Sequence, residues 1–397
     1  MLRSPAPLAL LALVASLALA SGPASDAEAR RDDARRAEAV IEDLVRPDEP
    51  GLALLVRRGG RTVLARGRGL RDLRSRAAID ARTDFRLASV TKAFTATAVM
   101  LLVRDGRLRY DTPLTEVFPS FPAYGRGITI RHLLTHTSGL PDYEELMAEA
   151  EKAGAPPWTK ERQIRDEEVL GLLRGARAGR FAPGASWAYS NSGYVLLGLV
   201  VARVSGRPFG EFLESSVFRP LGMGRTLACE AGRNEVPARA YGHEREGGAL
   251  RERDQSATSA TLGDGGVYSS LEDLAKWDEG LRTSALLSPG AAKPAFEPVT
   301  LADGTRPRWP AGAAGGDNLA PGEPVAYGFG WFLDPWRGRR RTWHHGETSG
   351  FRAAIERFPD EDLTVVVLAN RGDLDTKKIA LDVVDAILPA PHEKGHP

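Results

Sequence analysis

The chain has 397 residues, and its 53 Lys and Arg residues nearly balance its 52 Asp and Glu residues, which argues against a nucleic-acid partner. Hydrophobic residues make up 42% of the chain and charged residues 26%, proportions that fit neither a disordered chain nor a multi-span membrane protein. The single cysteine, Cys229, excludes an internal disulfide and a multi-cysteine metal site.

Residues 1–20 have the pattern of a secretory signal peptide. Arg3 supplies a short positive start, residues 8–20 form an apolar run, and cleavage is predicted after Ala20. The run is shorter than the roughly 20 apolar residues that span a bilayer, so we expect removal rather than anchoring. The mature protein is therefore expected to be exported, either periplasmic or secreted, with no stable membrane span.

The next residues predict a linker, a helix and a hairpin. Residues 21–33 are expected to be the linker, and residues 34–45 carry apolar side chains at helical spacing. Residues 51–56 and 62–65 are two β-prone runs on either side of the Gly59-Gly60 pair. This arrangement is typical of a β-hairpin.

The middle of the chain is mostly helical in pattern, with loops rich in glycine and proline. Five segments have helix-like spacing: residues 91–103, 130–134, 167–173, 193–204 and 271–281. We expect them to form a helical lobe. Residues 301–324 show no periodicity and predict a surface excursion.

The C-terminal part of the chain resembles the beginning in its predicted elements, which are strands flanked by a helix. Strand-like runs occupy residues 341–344, 351–358 and 363–370, and residues 377–388 form an amphipathic helical pattern. Antiparallel strands from both ends, each flanked by a terminal helix, indicate one shared sheet. Residues 389–397 are expected to fray.

Together these elements predict an α+β fold in which an antiparallel sheet, built from the N- and C-terminal segments and flanked by helices, carries an inserted helical lobe. We predict one domain over residues 34–390. Its sheet lobe is expected at about 34–88 and 260–390, and its helical lobe at about 89–259.

Ser89 and Lys92 form the first candidate catalytic pair. If a helix begins at Ser89, Lys92 lies one turn later on the same face, within reach of the serine hydroxyl. A lysine in its neutral form can take the proton of a serine nucleophile. Free N–H groups at a helix N-terminus can stabilise a developing oxyanion. Alone, the pattern is better explained by a helix cap followed by a surface lysine, because S-x-x-K is expected by chance about once in a chain of this size.

Tyr189 and Asn191 form the second candidate group. A nearby ammonium would favour the ionised form of the Tyr189 phenol, whose reference pKa is about 10, and would let it relay protons. Asn191 offers both a donor and an acceptor for a substrate amide. The alternative for Asn191 is a turn residue that caps the helix starting near Gly193.

His344, Gly346 and Glu347 form the third group, on a predicted strand of the C-terminal sheet. A glycine in a strand allows a ligand to approach the backbone closely. An edge strand facing a cleft would present the Glu347 N–H as a second oxyanion donor opposite that of Ser89. His344 would add a donor for the carboxylate or ester end of a ligand.

No metal site is predicted. The histidines that lie close together in sequence, His132 with His136 and His344 with His345, do not form the H-E-x-x-H zinc pattern.

The three groups occur in a fixed order along the chain: Ser89-x-x-Lys92, Tyr189-x-Asn191 and His344-x-Gly346. This ordered set resembles the clan of serine β-lactamases and penicillin-binding proteins. The likeness is greatest to the class C β-lactamase-like group, which includes esterases and D-amino-acid peptidases. Connecting stretches also look like that group, namely residues 133–140, 183–184, 220–223, 265–270 and 327–331.

The resemblance implies a β-lactamase/transpeptidase-like fold with the active site between the sheet and helical lobes. It implies that Ser89 is acylated, that Lys92 and Tyr189 handle its proton, and that water releases the acyl group. Asn191 and the His344 strand would align a small-molecule ester, peptide or β-lactam. No cofactor is implied. The segment around His136 is expected to support the helical lobe from behind, without a catalytic role.

One departure bears on the substrate. Class C β-lactamases carry lysine, threonine and glycine in the third motif, where this chain has His344-His345-Gly346, and a neutral histidine supplies no fixed charge for a β-lactam carboxylate. We therefore expect an exported serine hydrolase of the esterase or D-alanyl-D-alanine carboxypeptidase type. The alternatives are a class C-like β-lactamase and a penicillin-binding sensor that is acylated without turnover. Variable loops such as residues 143–158 and 301–324 would set the substrate, which the sequence leaves open together with the oligomeric state.

Overall fold

The structure is a computed structural model that describes residues 23–309 and 322–388. The predicted signal peptide, residues 389–397 that were expected to fray, and the middle of the predicted 301–324 excursion lie outside the described residues. Within those two ranges, no helix combines the length and the apolar character that crossing a membrane requires.

Helices and strands alternate along the chain, and we number each kind in chain order. The α-helices are α1 (Pro23–Ile41), α2 (Thr91–Arg104), α3 (Leu114–Val117), α4 (Ile130–Leu134), α5 (Tyr143–Lys152), α6 (Asp166–Gly175), α7 (Asn191–Ser205), α8 (Phe209–Leu213), α9 (Leu271–Arg282), α10 (Pro289–Ala292) and α11 (Thr376–Ile387). The β-strands are β1 (Leu52–Arg58), β2 (Arg61–Arg68), β3 (Leu70–Asp72), β4 (Ala77–Ala78), β5 (Phe85–Arg86), β6 (Leu227–Ala228), β7 (His243–Glu246), β8 (Ala249–Glu252), β9 (Val267–Ser269), β10 (Thr342–Thr348), β11 (Phe351–Phe358) and β12 (Leu363–Ala369). Short 3-10 helices lie at Ala88–Val90, Ala123–Gly125 and Lys293–Phe296, and a π-helical turn lies at Glu214–Phe218.

The main sheet joins the two ends of the chain, which confirms the predicted α+β architecture. Its five antiparallel strands run in the order β10-β11-β12-β1-β2. The register is fixed in the centre, where Leu54 of β1 lies opposite Val367 of β12. Because β10 is the first strand in this order, one of its edges faces away from the sheet.

Both faces of the main sheet are buried, which explains why β1 and β12 read as continuous apolar runs rather than alternating ones. On one face, Leu54 and Val367 pack with Ile41 of α1 and Val383 of α11. On the other face, neighbouring residues such as Leu55 pack into the larger core around α2 and α7. The sheet is therefore a central layer between the terminal helices and the helical part of the chain.

Helix α1 differs from the prediction of a linker over residues 21–33 followed by a helix over residues 34–45. It begins within that linker and ends sooner. Its buried stripe starts at Asp33, which accepts a 2.8 Å hydrogen bond from Arg58 of the sheet, and continues one turn later at Ala37. The predicted start was wrong because the preceding residues favour helix but are polar, so apolar spacing does not detect them.

Helix α5 occupies most of residues 143–158, which were expected to be a variable loop. Asp142 caps the helix, since its side chain accepts from the backbone N–H of Glu144 at 2.8 Å. Strand β10 is also longer than the predicted run at residues 341–344. Its polar and glycine residues obscure the strand pattern in the sequence.

Asn370 ties the two ends of the chain together just after β12. It is fully buried, its Oδ1 accepts from the N–H of Gly51 at 2.8 Å, and its Nδ2 donates to the carbonyls of Leu70 and Tyr241 at 3.1 and 3.0 Å. One side chain thus satisfies backbone groups from three separate segments.

We predict that Asn370→Ala lowers the free energy of unfolding by at least about 2 kcal/mol, because each buried polar group left without a partner costs about 1–3 kcal/mol. Urea denaturation would measure the change. Asn234→Ala is the matched control, since that side chain bonds locally on an exposed surface. An equal loss in both variants would contradict the assignment.

Candidate active site

Ser89 lies in a strained turn at the start of α2. The turn is the 3-10 helix Ala88–Val90, which leads directly into α2, and Ala88 adopts a positive φ of 46°. Non-glycine residues in this region of backbone space are uncommon and occur at functional sites. Ser89 itself is partly exposed, so its hydroxyl can be reached from solvent.

Lys92 is fully buried beneath Ser89, and its Nζ contacts three acceptors from different parts of the chain. The nitrogen lies 2.9 Å from each of Ser89 Oγ, Asn191 Oδ1 and the carbonyl oxygen of Asp264. Burial lowers the pKa of Lys92 to about 8, against the opposing effect of the nearby Asp264 and Glu144 carboxyls. The amine is thus held at the serine and titrates close to neutral pH.

Asn191 does not cap its own helix, which decides between the two interpretations of this residue. The cap of α7 is Ser190, whose hydroxyl accepts from the N–H of Gly193 at 3.1 Å. The Asn191 carboxamide is therefore available for Lys92, and it remains partly exposed beside Ser89. Its Nδ2 donors are not needed for the Lys92 contact.

Tyr189 lies against the same pair. Its phenol faces the Ser89 side chain, and Lys92 Nζ lies 4.9 Å from the centre of its ring. Burial raises the pKa of Tyr189 far above its usual value, with Ser89 opposing the shift. The expectation that a nearby ammonium would favour the ionised form of this phenol is not met, because desolvation by burial is the largest effect on its pKa and favours the neutral form. Tyr189 is a neutral phenol and can serve as a proton donor.

His136 supports Tyr189 from within the protein, a role more direct than the sequence indicated. Its Nδ1 accepts from the backbone N–H of Ser190 at 3.1 Å, and its ring lies 4.4 Å from the ring of Tyr189, centre to centre. His136 is fully buried with a positive φ of 61°, and burial lowers its pKa well below the usual value. It is therefore a neutral side chain that positions Tyr189.

His344 is buried among the aromatic rings of Tyr189, Tyr327 and Phe332. Its Nδ1 lies 2.7 Å from the His345 carbonyl and must donate to it, which leaves Nε2 as an acceptor facing the Tyr327 hydroxyl at 3.4 Å. Burial and the nearby Lys92 lower the pKa of His344 to about 3. This arrangement contradicts the expected donor role, because the one N–H of the neutral ring is already used.

Gly346 brings β10 against the nucleophile turn. A Cβ at this position would lie 2.1 Å from the carbonyl oxygen of Leu87 and 3.1 Å from the amide nitrogen of Ser89. The group that comes close to this glycine is therefore the backbone of residues 87–89. The absence of a side chain lets the edge strand contact the turn that carries Ser89.

Glu347 presents its backbone at the free edge of β10. Trp343 exchanges both of its backbone hydrogen bonds with Phe332, away from β11. Backbone groups of an antiparallel strand alternate in direction with a period of two, so the N–H of Glu347 also faces away from β11. The amide nitrogen of Ser89 lies close to Gly346, the residue before Glu347. The N–H groups of Ser89 and Glu347 therefore lie on neighbouring segments.

Asp264 is a residue of the site that the sequence reasoning missed. It is buried, its carbonyl oxygen accepts from Lys92, and its Oδ2 lies 3.4 Å from the Tyr143 hydroxyl. Burial raises the pKa of this carboxyl, while Lys92 opposes the increase. In the sequence Asp264 lies between glycines and has the pattern of a turn residue, so only its spatial neighbourhood reveals it.

The arrangement combines the parts needed for acyl transfer. The Ser89 hydroxyl is a candidate nucleophile in contact with an amine of lowered pKa, Tyr189 is a neutral phenol, and the Ser89 and Glu347 amides are candidates for binding an oxyanion. Among residues 23–309 and 322–388, no cluster of histidine, cysteine and carboxylate side chains is suited to hold a metal ion.

Comparisons with known proteins agree on one family. The family model described as Beta-lactamase matches residues 37–387. Penicillin-binding protein 4* of Bacillus subtilis (strain 168) is 28% identical over 376 residues, covering 90% of this chain and 77% of that protein. Esterase EstB of Burkholderia gladioli is 33% identical over 356 residues, covering 76% of this chain and 87% of that protein.

A solved structure supports the fold. The D-amino acid amidase from Ochrobactrum anthropi SV3, complexed with L-phenylalanine, matches with a TM-score of 0.73 and 24% sequence identity. The match covers 90% of this chain and 98% of that chain. The two proteins therefore share an architecture from one end of the domain to the other.

We predict that Gly346→Ala lowers turnover by about 10²-fold or more, the typical effect of losing one oxyanion donor, because the added methyl group forces β10 away from Leu87 and Ser89. Steady-state hydrolysis of an aryl ester would measure the loss. Gly171→Ala in α6 is the control, since a Cβ there meets no atom within 4 Å. Equal activity of both variants would refute the close approach of Gly346 and its importance for Glu347.

Proposed function

The chain belongs to the beta-lactamase family and is a serine hydrolase, and from that premise we propose that it works through an acyl-enzyme on Ser89 and cleaves an ester or a D-amino-acid amide. The observation that carries the proposal is the 2.9 Å contact between the Ser89 hydroxyl and the buried Lys92 amine. A serine becomes an effective nucleophile when a neighbouring base removes its proton.

In the first half-reaction, Ser89 Oγ attacks the substrate carbonyl while its proton moves to the neutral Lys92 Nζ. The carbonyl oxygen becomes an oxyanion, and the N–H groups of Ser89 and Glu347 are the proposed donors to it. Tyr189 gives its phenolic proton to the leaving group as the bond to the carbonyl carbon breaks. The Lys92 ammonium then returns a proton to the tyrosine, so the charges balance when the leaving group departs.

In the second half-reaction, water attacks the acyl-enzyme. Neutral Lys92 takes the proton of the water, Tyr189 gives its phenolic proton to Ser89 Oγ as the acyl bond breaks, and the Lys92 ammonium then reprotonates the tyrosine. The acid product leaves and the hydroxyl is restored. Asn191, whose carboxamide points at Lys92 and is partly exposed, is proposed to align the substrate amide or ester through its Nδ2.

The substrate class is proposed from the relatives and from the charge of the site. One relative is named an esterase and another a penicillin-binding protein, and the reactive bond of a penicillin is an amide. His344 is neutral because its pKa is lowered to about 3, so it offers no cation for the carboxylate of a β-lactam. These observations favour an ester or an open-chain amide.

We propose export on the pattern of residues 1–20 alone.

We predict that Ser89→Ala abolishes turnover and leaves the thermal unfolding midpoint within a few degrees of wild type, because the hydroxyl is the attacking group and lies in a partly exposed turn. The purified chain would be assayed in parallel on a short-chain aryl ester, a D-alanyl-D-alanine peptide and nitrocefin. Full activity of the alanine variant would end the proposal. A lasting adduct on Ser89 without product, detected by mass spectrometry, would identify the sensor instead.

We also predict that kcat/KM rises with pH and levels off above about 8, because Lys92 accepts the serine proton only after losing its own and its pKa is lowered to about 8. Below that value the rate should fall about tenfold per pH unit. Initial rates with an aryl ester, measured in even steps from about pH 5.5 to about pH 9.5, would define the acidic limb of the profile around this pKa. A flat profile would exclude a lysine base.

A further inference from the structure

The loop after Gly263 is attached to α2 at three successive points. Thr95 Oγ1 donates to the Gly263 carbonyl at 2.6 Å, Lys92 Nζ donates to the Asp264 carbonyl at 2.9 Å, and the Val267 N–H donates to Thr91 Oγ1 at 3.1 Å. These contacts fix the backbone of Asp264 beside Lys92. The backbone position therefore does not depend on the Asp264 side chain.

The Asp264 carboxyl is enclosed and only partly satisfied. The side chain is buried, its Oδ1 has no hydrogen-bond partner among the described residues, and the Tyr143 hydroxyl lies 3.4 Å from Oδ2. A buried carboxylate with few hydrogen bonds is stable only when a cation is near. The cations facing it are Lys92 and Arg86.

Arg86 is already committed elsewhere. Its Nη2 donates to the Ser259 carbonyl at 2.9 Å and its Nε to the Gly265 carbonyl at 3.4 Å. Lys92 is thus the cation whose charge can change during the reaction. The other titratable side chains that face Lys92 are Glu144, His136, His344, Tyr189 and Tyr194. The two histidines and the two tyrosines are neutral because burial disfavours their charged forms.

We infer that Asp264 is a positioning residue that controls the catalytic base: its carbonyl oxygen fixes the place of Lys92 Nζ, and its carboxylate keeps that nitrogen protonated in the resting site. The inference rests on the proposed role of Lys92 as the base of acylation. In this inference, the main chain of Asp264 positions Lys92, and the side chain of Asp264 controls the charge of Lys92. Replacing the side chain alone removes the charge and leaves the positioning hydrogen bond.

The test is the pH dependence of kcat/KM for Asp264→Asn on an aryl ester. Without the carboxylate, the Lys92 ammonium is less stable and loses its proton more easily. The acidic limb should therefore move to lower pH by about one unit, within the range typical of a lost opposite charge. At one pH on the acidic side, the rate divided by the plateau rate should be about tenfold higher for the variant than for wild type. A purely structural defect would lower the plateau without moving the limb.

Matched controls separate the charge at Lys92 from buried acidity in general. Asp166→Asn removes another buried carboxyl, which accepts from the Leu262 N–H at 3.0 Å and interacts with Asp264 but not directly with Lys92, so its limb should move clearly less than that of Asp264→Asn. Glu144→Gln removes the second acid that faces Lys92 and should move the limb in the same direction by a smaller amount. Asp264→Ser serves if the asparagine variant does not fold, as judged by thermal unfolding.

An unmoved limb in the folded Asp264 variants would overturn the inference, as would an equal shift in Asp166→Asn. Ser89→Ala keeps this failure distinct from failure of the proposed function. If Ser89→Ala is inactive and only the Asp264 limb stays in place, the acyl-enzyme proposal stands and the role of Asp264 falls. If Ser89→Ala is active, both fall.

Discussion

The buried Lys92 amine is the constraint around which the site is assembled. Removing an ammonium from water costs several kcal/mol unless other groups replace its hydration. Its three acceptors come from the 3-10 turn before α2, from the N-terminus of α7 and from the loop after Gly263. These segments are distant in sequence, so the lysine is satisfied only when the helical core has closed. Formation of the Ser89–Lys92 contact and completion of the fold are therefore coupled.

The sheet contributes the second half of the site through its edge. Strand β10 is held in place by β11, and the order of the sheet brings it to the side where α2 begins. Gly346 then removes the one side chain that would separate the strand from the Ser89 turn. The glycine thus acts through packing: it sets how closely two backbones approach, and this distance decides whether the amides of Ser89 and Glu347 can serve one carbonyl oxygen.

The sequence predicted the features that are encoded locally. The Gly59-Gly60 hairpin follows from turn chemistry, and β11 and α4 were predicted with their correct bounds from a strand-like run and from helical spacing. Properties that depend on burial could not be predicted from spacing. Asp264 looks like a turn residue, His136 was placed behind the lobe rather than against Tyr189, and His344 was expected to bind a ligand. Each depends on neighbours from other segments.

Burial also determines how protons can move in the site. It lowers the pKa of Lys92 and of His344 and raises that of Tyr189, so burial shifts all three side chains toward their neutral forms. A site of this kind has little fixed charge of its own, and the balance between Lys92 and Asp264 becomes sensitive to any charge that a ligand brings. A carboxylate near Lys92 would stabilise the ammonium and withdraw the base, whereas an uncharged ester or amide leaves it available. If Lys92 is the base, as proposed, the same desolvation that lowers its pKa would therefore disfavour substrates with anionic groups next to the reacting bond.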